Sequence, residues 1–141
     1  MSTDVPTRVI SNRSMMQLTG KQPLWDWLSS VEPQSVLTFG ELNDDNESYL
    51  IPSFDDPADA IKWVEKRWQY FFENVLFGWI TEDGLWPKKR TLKMFRSWFD
   101  IKVSSLICDL VEEPLMIEYW SEDEEDEFIL SGFDSPDGKL H

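Results

Sequence analysis

The residues that most enzymes use for proton transfer and nucleophilic attack are scarce in this sequence. It contains one histidine, His141, which is the last residue, and one cysteine, Cys108. A general base must be held within hydrogen-bonding distance of its substrate, and the end of a chain is a poor position for one. We therefore predict no Ser-His-Asp or Cys-His catalytic site, and a single chain lacks the His and Cys ligands that a zinc site requires.

Nucleotide-binding and hydrolase motifs are also missing from the sequence. Neither the G-x-S-x-G elbow of hydrolases nor the G-x-G-x-x-G fingerprint of dinucleotide-binding domains occurs. The segment GFDSPDGK at 132–139 resembles a phosphate loop, but five residues instead of four separate its glycines and no Ser or Thr follows its lysine. No cofactor is predicted.

Carboxylates are the remaining groups with catalytic or metal-binding potential. Asp44, Asp45 and Glu47 fall in one turn, and residues 122–127 form an acidic run, either of which could collect Mg²⁺ or Ca²⁺. A calcium-binding loop needs Gly at its sixth position and Glu at its twelfth, and neither segment provides that pattern. We interpret the turn as a solvated hairpin tip and the run as a solvated linker, and we predict no metal site.

The charges are distributed unevenly along the chain, whose formal net charge is −14. Residues 26–59 contain nine acidic side chains and no basic one, and residues 109–127 contain ten and none. Between them lies a basic band of six side chains: Lys88, Lys89, Arg90, Lys93, Arg96 and Lys102. We predict that this band neutralises acidic segments of the same chain or of a neighbouring subunit, because the field of the whole chain would repel a nucleic acid.

Two groups of residues are candidates for binding another protein. The first is the acidic run with the apolar residues that follow it: Glu122, Asp123, Glu124, Glu125, Asp126, Glu127, Phe128, Ile129 and Leu130. These residues would dock on a groove of the partner or, alternatively, form a β-hairpin with an exposed acidic loop. The second group comes from an apolar stripe that other elements would cover or that would form a partner or dimer interface: Trp63, Tyr70 and Trp98.

Two long helices are predicted to position that stripe. Residues 56–80 place apolar side chains at three- and four-residue steps, follow an N-cap at Asp55 or Asp56, and carry Pro57 in the first turn. Residues 88–111 repeat this layout after a short connection. Because a short connection makes sequential helices neighbours, we expect the two to pack as an antiparallel hairpin.

The end of the second helix has an alternative interpretation. The chain could form a helix as far as Asp100 and then a strand over 101–110. Ser104 and Ser105 interrupt the two-residue alternation that such a strand would show, and for that reason we favour the continuous helix. The helix would place the basic band on one rod of an acidic protein.

The remaining predicted elements are short. They are a helix over 11–19, a helix over 23–31, strands over 35–42 and 48–54 joined by a hairpin loop, and a strand over 115–120. Pro52 predicts that the strand over 48–54 lies at a sheet edge, because proline cannot donate a ladder hydrogen bond. Residues 128–133 would pair with the strand over 115–120 or stay unpaired.

Length and composition indicate a single domain in a reducing compartment. The chain of 141 residues is 41% hydrophobic and has eight tryptophans, which is sufficient for a sizeable core. We expect a flexible segment at 1–10, one domain over 11–133 and a flexible tail at 134–141. No apolar run is long enough to span a membrane, no secretory signal begins the sequence, and one cysteine forms no intramolecular disulfide. These features predict a cytoplasmic protein.

Together these patterns predict an α+β protein in which a long antiparallel helical hairpin packs on a small antiparallel sheet, with an extra N-terminal helix. The acidic excess and the many aromatic residues favour a non-enzymatic protein that binds another protein, of the inhibitor, immunity or adaptor type. One alternative is a DNA mimic that occupies a nucleic-acid-binding protein. Another is an enzyme that uses carboxylates or a metal ion. A homodimer is kept as a further alternative.

Overall fold

The computed structural model describes residues 5–6, 8–34 and 37–120, and its architecture is α+β. Four α-helices and a three-stranded antiparallel sheet lie in this part of the chain. In order they are β1 (Arg13–Gly20), α1 (Gln22–Val31), β2 (Ser48–Pro52), α2 (Pro57–Glu65), α3 (Trp68–Trp79), α4 (Leu92–Trp98) and β3 (Phe99–Ser104). Short 3₁₀ turns occur at Phe39–Glu41 and Asp83–Leu85.

The chain divides into two compact units. One consists of residues 7–109 and contains every helix and strand named above. The other consists of residues 1–6 and 110–141, of which the structure describes 5–6 and 110–120. No helix or strand forms in these described residues, and the apolar side chains of Leu115, Ile117 and Trp120 are exposed. The strand predicted over 115–120 is therefore absent, and residues 128–133 lie outside the described part.

Strand β1 is the centre of the sheet, whose order is β2-β1-β3. It pairs antiparallel with both neighbours, so that Met16 lies opposite Tyr49 of β2 and Val103 of β3. Strand β2 corresponds to the strand predicted over 48–54, and it lies at an edge, as Pro52 indicates. The helix predicted over 23–31 is confirmed as α1.

The short helix predicted over 11–19 is wrong, because these residues form most of β1. Every second residue of β1 from Ser14 to Gly20 is buried, which is the two-residue period of a strand. The sequence conceals this period because Ser14, a polar residue, occupies a buried position. Its Oγ accepts a hydrogen bond from the backbone N–H of Phe54 at 3.0 Å, which satisfies the hydroxyl inside the protein.

The single helix predicted over 56–80 is wrong in extent, because the structure contains two helices there, α2 and α3. The predicted start is confirmed: the side chain of Asp56 accepts from the N–H of Ala58 at 3.0 Å. The break lies at Lys66 and Arg67. The Arg67 guanidinium donates to the carbonyl of Trp63 and lies 3.9 Å from the centre of its ring, which stabilises the interruption.

The second long helix, predicted over 88–111, is also wrong. Helix α4 ends at Trp98 and the chain continues directly as β3. Phe99, Ile101 and Val103 face inward while Asp100, Lys102 and Ser104 are exposed, and this alternation is that of a strand. Ser104 is the exposed last residue of the strand, so the serines mark its end and do not interrupt it. The helical hairpin is consequently absent, and the rejected alternative of a helix followed by a strand is closer to the structure.

The strand predicted over 35–42 is replaced, within residues 37–42, by the 3₁₀ turn Phe39–Glu41. Thr38 and Glu41 form a capping box there: each side chain accepts a hydrogen bond from the backbone N–H of the other residue. The predicted hairpin between 35–42 and 48–54 therefore does not form. The antiparallel partner of β2 is β1.

The core lies between the helices and one face of the sheet, and aromatic rings form its centre. The ring of Phe72 contacts those of Phe95, Trp98 and Phe99 at centroid distances of 5.9, 5.3 and 5.5 Å. Helix α3 thus joins α4 and β3 through one buried side chain. None of the helices in the described part of the chain could span a lipid bilayer.

Candidate functional site

A groove of about 240 Å³ opens between the second half of α3 and the segment that connects to β2. Its apolar lining comes mainly from β1, α1, β3 and α3: Leu18, Gly20, Leu24, Leu42, Val75, Gly78, Trp79 and Phe99. Its polar lining comes from the 43–49 segment and from α3: Asn43, Asp45, Asn46, Glu47, Tyr49 and Asn74. The groove therefore combines an apolar surface with a cluster of polar side chains.

Asn43 fixes the polar segment to the end of β1. Its Oδ1 accepts from the N–H of Gly20 at 2.8 Å, and its Nδ2 donates to the carbonyl of Gly20 at 3.0 Å. Gly20 cannot be replaced without movement, because a Cβ there would lie 2.5 Å from Cδ2 of Leu24. The close contact and the paired hydrogen bonds hold the polar side of the groove in one position.

Tyr49, Glu47 and Asn74 form a hydrogen-bonded triangle at the groove. The hydroxyl of Tyr49 donates to Oε1 of Glu47 at 2.7 Å, and Nδ2 of Asn74 donates to the same oxygen at 2.8 Å and to the Tyr49 hydroxyl at 2.7 Å. Burial, and after it the hydrogen bond to Glu47, raises the pKa of Tyr49 well above its ordinary value. The phenol is therefore a stable donor at neutral pH, and catalysis by a tyrosinate is not supported here.

The polar side of the groove carries negative charge. Asp45 and Glu47 contribute carboxylates, and no lysine or arginine is among the lining residues. Within the described residues, neither carboxylate forms an ion pair. Both are therefore available to a positively charged group that enters the groove.

Helix α3, which lines the groove through Asn74, also exposes aromatic rings. Tyr70 is 61% exposed and Phe77 is 52% exposed. Asn74 lies between them, since residues three and four positions apart share one face of a helix. We call Tyr70 and Phe77 the exposed α3 rings.

The candidate partner-binding residues predicted from the sequence lie in different environments. Tyr70 is on the surface of α3, whereas Trp98 is buried in the core against Trp27 and Phe72. One face of the Trp63 ring is covered by Arg67. The stripe to which these residues were assigned does not form one surface, although a binding role for each remains a prediction. Residues 122–130 lie outside the described part of the chain.

The basic band pairs partly with acidic side chains of the same chain. Arg96 forms two hydrogen bonds with Glu65, at 2.8 and 2.9 Å, and Arg90 contacts Glu73 at 2.8 Å. Two of the six side chains therefore pair within the chain, whereas neutralisation of the acidic segments stays a prediction. The partners lie on α2 and α3, not in the two acidic stretches singled out in the sequence. Hydrogen bonding to Arg96 lowers the pKa of Glu65.

Sequence reasoning missed the groove because its residues are distant in the chain. The Asn- and Asp-rich segment at 43–47 was visible, but only as a turn. Nothing in the local pattern indicates that this turn would be tied to Gly20 and face Asn74 across a cavity.

Metal binding finds no support in the described residues, where no three His, Cys, Asp or Glu side chains converge as metal ligands.

The groove and the exposed α3 rings form the candidate site on geometry alone. Comparisons of the chain with protein-family models, with curated proteins and with solved structures found no match.

Proposed function

We propose that this chain is a small acidic, non-enzymatic protein that binds another protein, in the manner of an inhibitor, immunity factor or adaptor. The observation that supports this function is the exposure of Tyr70 and Phe77 on the same helix as Asn74, which lines a negatively charged groove. Aromatic side chains surrounded by polar groups are typical of the centre of protein interfaces. Tyr70 and Phe77 would be the anchors of such an interface.

The energetic reason is the apolar area that the rings leave in water. Burying a side chain of this size contributes about 1.5–3 kcal/mol relative to leaving it exposed. Two such rings on one helix face would supply an appreciable part of the free energy of a protein complex. A partner that covers them must also satisfy Asn74, which lies between them on the same face.

The charge of the protein indicates what kind of partner would fit. Residues 41–47 alone contain four carboxylates, those of Glu41, Asp44, Asp45 and Glu47, and the formal net charge is −14. A basic surface on the partner would be attracted over a distance of about 10 Å at ordinary salt concentrations. The acidic residues at 122–127 would add to this attraction, and Phe128 to Leu130 are retained as a second proposed contact.

The test is affinity purification from the native cell with matched surface variants. The double variant Tyr70→Ser, Phe77→Ser removes the exposed α3 rings, whereas Leu85→Ser removes an exposed apolar side chain outside the groove. We expect one protein to be retained by the wild type and by the control and to be lost at least about tenfold with the double variant, as for interface anchors worth more than 1.4 kcal/mol. Equal retention by all three proteins would contradict the proposal.

The same experiment separates the proposed function from the alternatives. A DNA mimic should release its partner when duplex DNA is added and should bind much more weakly as salt rises. Glu65 and Glu73 are less suited to imitate phosphates, because arginines of the same chain already pair with them.

A homodimer is the alternative that the exposed α3 rings themselves raise. If Tyr70 and Phe77 pair with a second copy, the wild type should sediment as a dimer and the double variant as a monomer. If the wild type is a monomer at all accessible concentrations, the homodimer is ruled out and the two rings are available to a different partner.

We propose the cytoplasm as the place of action, on the basis of the single cysteine.

A further inference from the structure

We propose that the groove beside α3 binds an arginine side chain of the protein partner. The identity of the partner rests on the proposed function, whereas the affinity of the groove for a guanidinium group does not. Four properties of the groove support this assignment: its unused hydrogen-bonding capacity, its charge, its size and the presence of Gly78.

The hydrogen-bonding groups that Tyr49, Glu47 and Asn74 leave unpaired at the groove are acceptors. The single proton of the Tyr49 hydroxyl is directed to Glu47, and Nδ2 of Asn74 donates both to Glu47 and to Tyr49. Because a carboxylate only accepts hydrogen bonds, these contacts also fix the orientation of the Asn74 amide. Oε2 of Glu47 and Oδ1 of Asn74 are left as acceptors without a partner in the described chain.

A ligand that pairs with these two acceptors must therefore supply hydrogen-bond donors, and a positive charge on it would match the carboxylates that line the groove. A guanidinium group has five N–H donors, no acceptor and a fixed positive charge, and its planar shape matches a carboxylate. Asp45 and Glu47 supply the negative charge, and no basic residue among the lining side chains competes for them. The planar group can also lie against an aromatic ring, and Trp79 and Tyr49 both line the groove.

The size of the groove agrees with one side chain. Sites for drug-sized ligands have volumes of about 300–1,000 Å³, and the groove, at about 240 Å³, is smaller. Its apolar lining, which includes Leu18, Val75 and Phe99, suits the methylene groups of arginine. The polar lining then suits the guanidinium, so both parts of the side chain find a matching surface.

Gly78 gives an independent indication that the space is kept open. It lies in α3, where glycine lowers helix stability by up to about 1 kcal/mol relative to alanine. Its φ is not in the left-handed region, and a Cβ added there would have no neighbour within 4 Å. Neither the backbone nor the packing requires glycine at this position, and Gly78 lines the groove without a side chain that could occupy it.

The test is NMR titration of the ¹⁵N-labelled full-length protein with N-acetyl-arginine-N-methylamide as the probe. The matched compound with citrulline has the same shape and no charge. We expect the arginine probe to shift the Trp79 indole and Asn74 amide resonances saturably, with an affinity at least tenfold higher than that of the citrulline probe. Glu47→Gln should weaken binding of the arginine probe at least fivefold.

Two glycine variants distinguish loss of binding in a filled groove from loss of binding in an unfolded protein. Gly78→Leu should abolish binding of the probe, whereas Gly84→Leu, at another glycine with open space around its Cβ, should leave binding unchanged. The dispersed amide spectrum of each variant shows whether it is folded. The absence of saturable shifts in the wild type, equal binding of the citrulline probe, or unchanged binding by folded Gly78→Leu would overturn the inference.

The proposed function and the arginine site can each be wrong without the other being wrong. If the arginine probe binds but the loss of Tyr70 and Phe77 leaves the captured proteins unchanged, the proposed function fails and the arginine site stands. If the probe does not bind but capture depends on the two rings, only the arginine site fails.

Discussion

Ser14 is a buried polar residue whose hydroxyl links β1 to the segment that follows β2 through one hydrogen bond. It is 0% exposed, and its hydroxyl accepts from the N–H of Phe54. Removal of the hydroxyl leaves that N–H without its partner in a partly buried position. The strand can tolerate a polar residue facing the core only because the segment after β2 supplies this donor.

We expect Ser14→Ala to lower the free energy of unfolding by about 1–2 kcal/mol, because a partly buried donor loses its acceptor. Urea denaturation followed by circular dichroism measures this change. The control is Ser53→Ala at an exposed serine, which should alter stability by less than about 0.5 kcal/mol. Equal effects of the two substitutions would show that the Ser14 hydroxyl contributes nothing specific.

The ion pair between Glu65 and Arg96 should make the free energy of unfolding depend on pH. Hydrogen bonding to Arg96 holds the pKa of Glu65 below its ordinary value of 4.5 in the folded protein. A carboxyl group with a lowered folded pKa binds fewer protons in the folded than in the unfolded state, so its stabilisation is present above the ordinary pKa. That stabilisation is lost as the pH falls through the folded pKa.

Accordingly, the wild type should be more stable than Glu65→Gln at pH 7, and the difference should shrink progressively as the pH is lowered below 4.5. The measurement is the urea midpoint of both proteins across this pH range. Because Arg96 is exposed, we expect the difference to be smaller in high salt. A difference that grows on acidification would have the wrong sign for this pair.

At the scale of secondary structure, local chemistry predicted some elements and long-range pairing decided the others. The N-cap at Asp56, helix α1 and the edge position of β2 depend on residues close in sequence, and these predictions are confirmed. Leu92, Phe95 and Phe99 have helical spacing, yet Phe99 already belongs to β3. The sequence from Phe99 to Ser104 fits both a helical spacing and a two-residue alternation, and the pairing of β3 with β1, distant in the chain, selects the strand.

The candidate site shows the same division. Tyr70 was named as a candidate partner-binding residue from its position on a second apolar stripe, and it is exposed. Trp98 came from the same reasoning but is buried, because the predicted long helix ends there and its ring turns into the core. The groove joins segments from Leu18 to Phe99, so its existence depends on tertiary structure that the sequence pattern did not predict.

Replacing Gly78 in α3 and replacing Gly20 at the end of β1 should change the free energy of unfolding in opposite directions. We expect Gly78→Ala to raise the free energy of unfolding by up to about 1 kcal/mol, since the helix gains propensity and the Cβ meets open space. Gly20→Ala should lower it, because its Cβ would lie 2.5 Å from Leu24. Thermal unfolding of the two variants measures both signs, and a loss of stability in Gly78→Ala would contradict the open groove.

At the scale of the whole molecule, half of the net charge lies outside the part of the chain that contains the described core. Residues 121–141 contain eight acidic residues and one lysine, so they carry −7 of the formal net charge of −14. The buried hydrophobic residues of the described chain all lie between Met16 and Ile107. We therefore expect that stability and long-range attraction to a partner can be altered separately.

Truncation after Trp120 tests this separation. We expect the shortened protein to keep its urea midpoint, because the described core is intact, and to associate with its partner several-fold more slowly at low salt, because half of the net charge is gone. Stopped-flow association at increasing ionic strength should show a shallower salt dependence than that of the full chain. A lower midpoint would place part of the stabilising contacts beyond Trp120.

The dissociation rate shows whether the acidic run steers the partner or the apolar residues after it contact the partner. Long-range attraction changes mainly the association rate, whereas a lost short-range contact accelerates dissociation. If Phe128, Ile129 and Leu130 dock on the partner, truncation should accelerate dissociation. Converting the acids at 122–127 to amides should then leave the dissociation rate unchanged and lower only the association rate. Equal dissociation rates for the full chain, the truncated chain and the amide variant would assign the short-range contacts to the part of the chain before Ser121, where the exposed α3 rings and the groove lie.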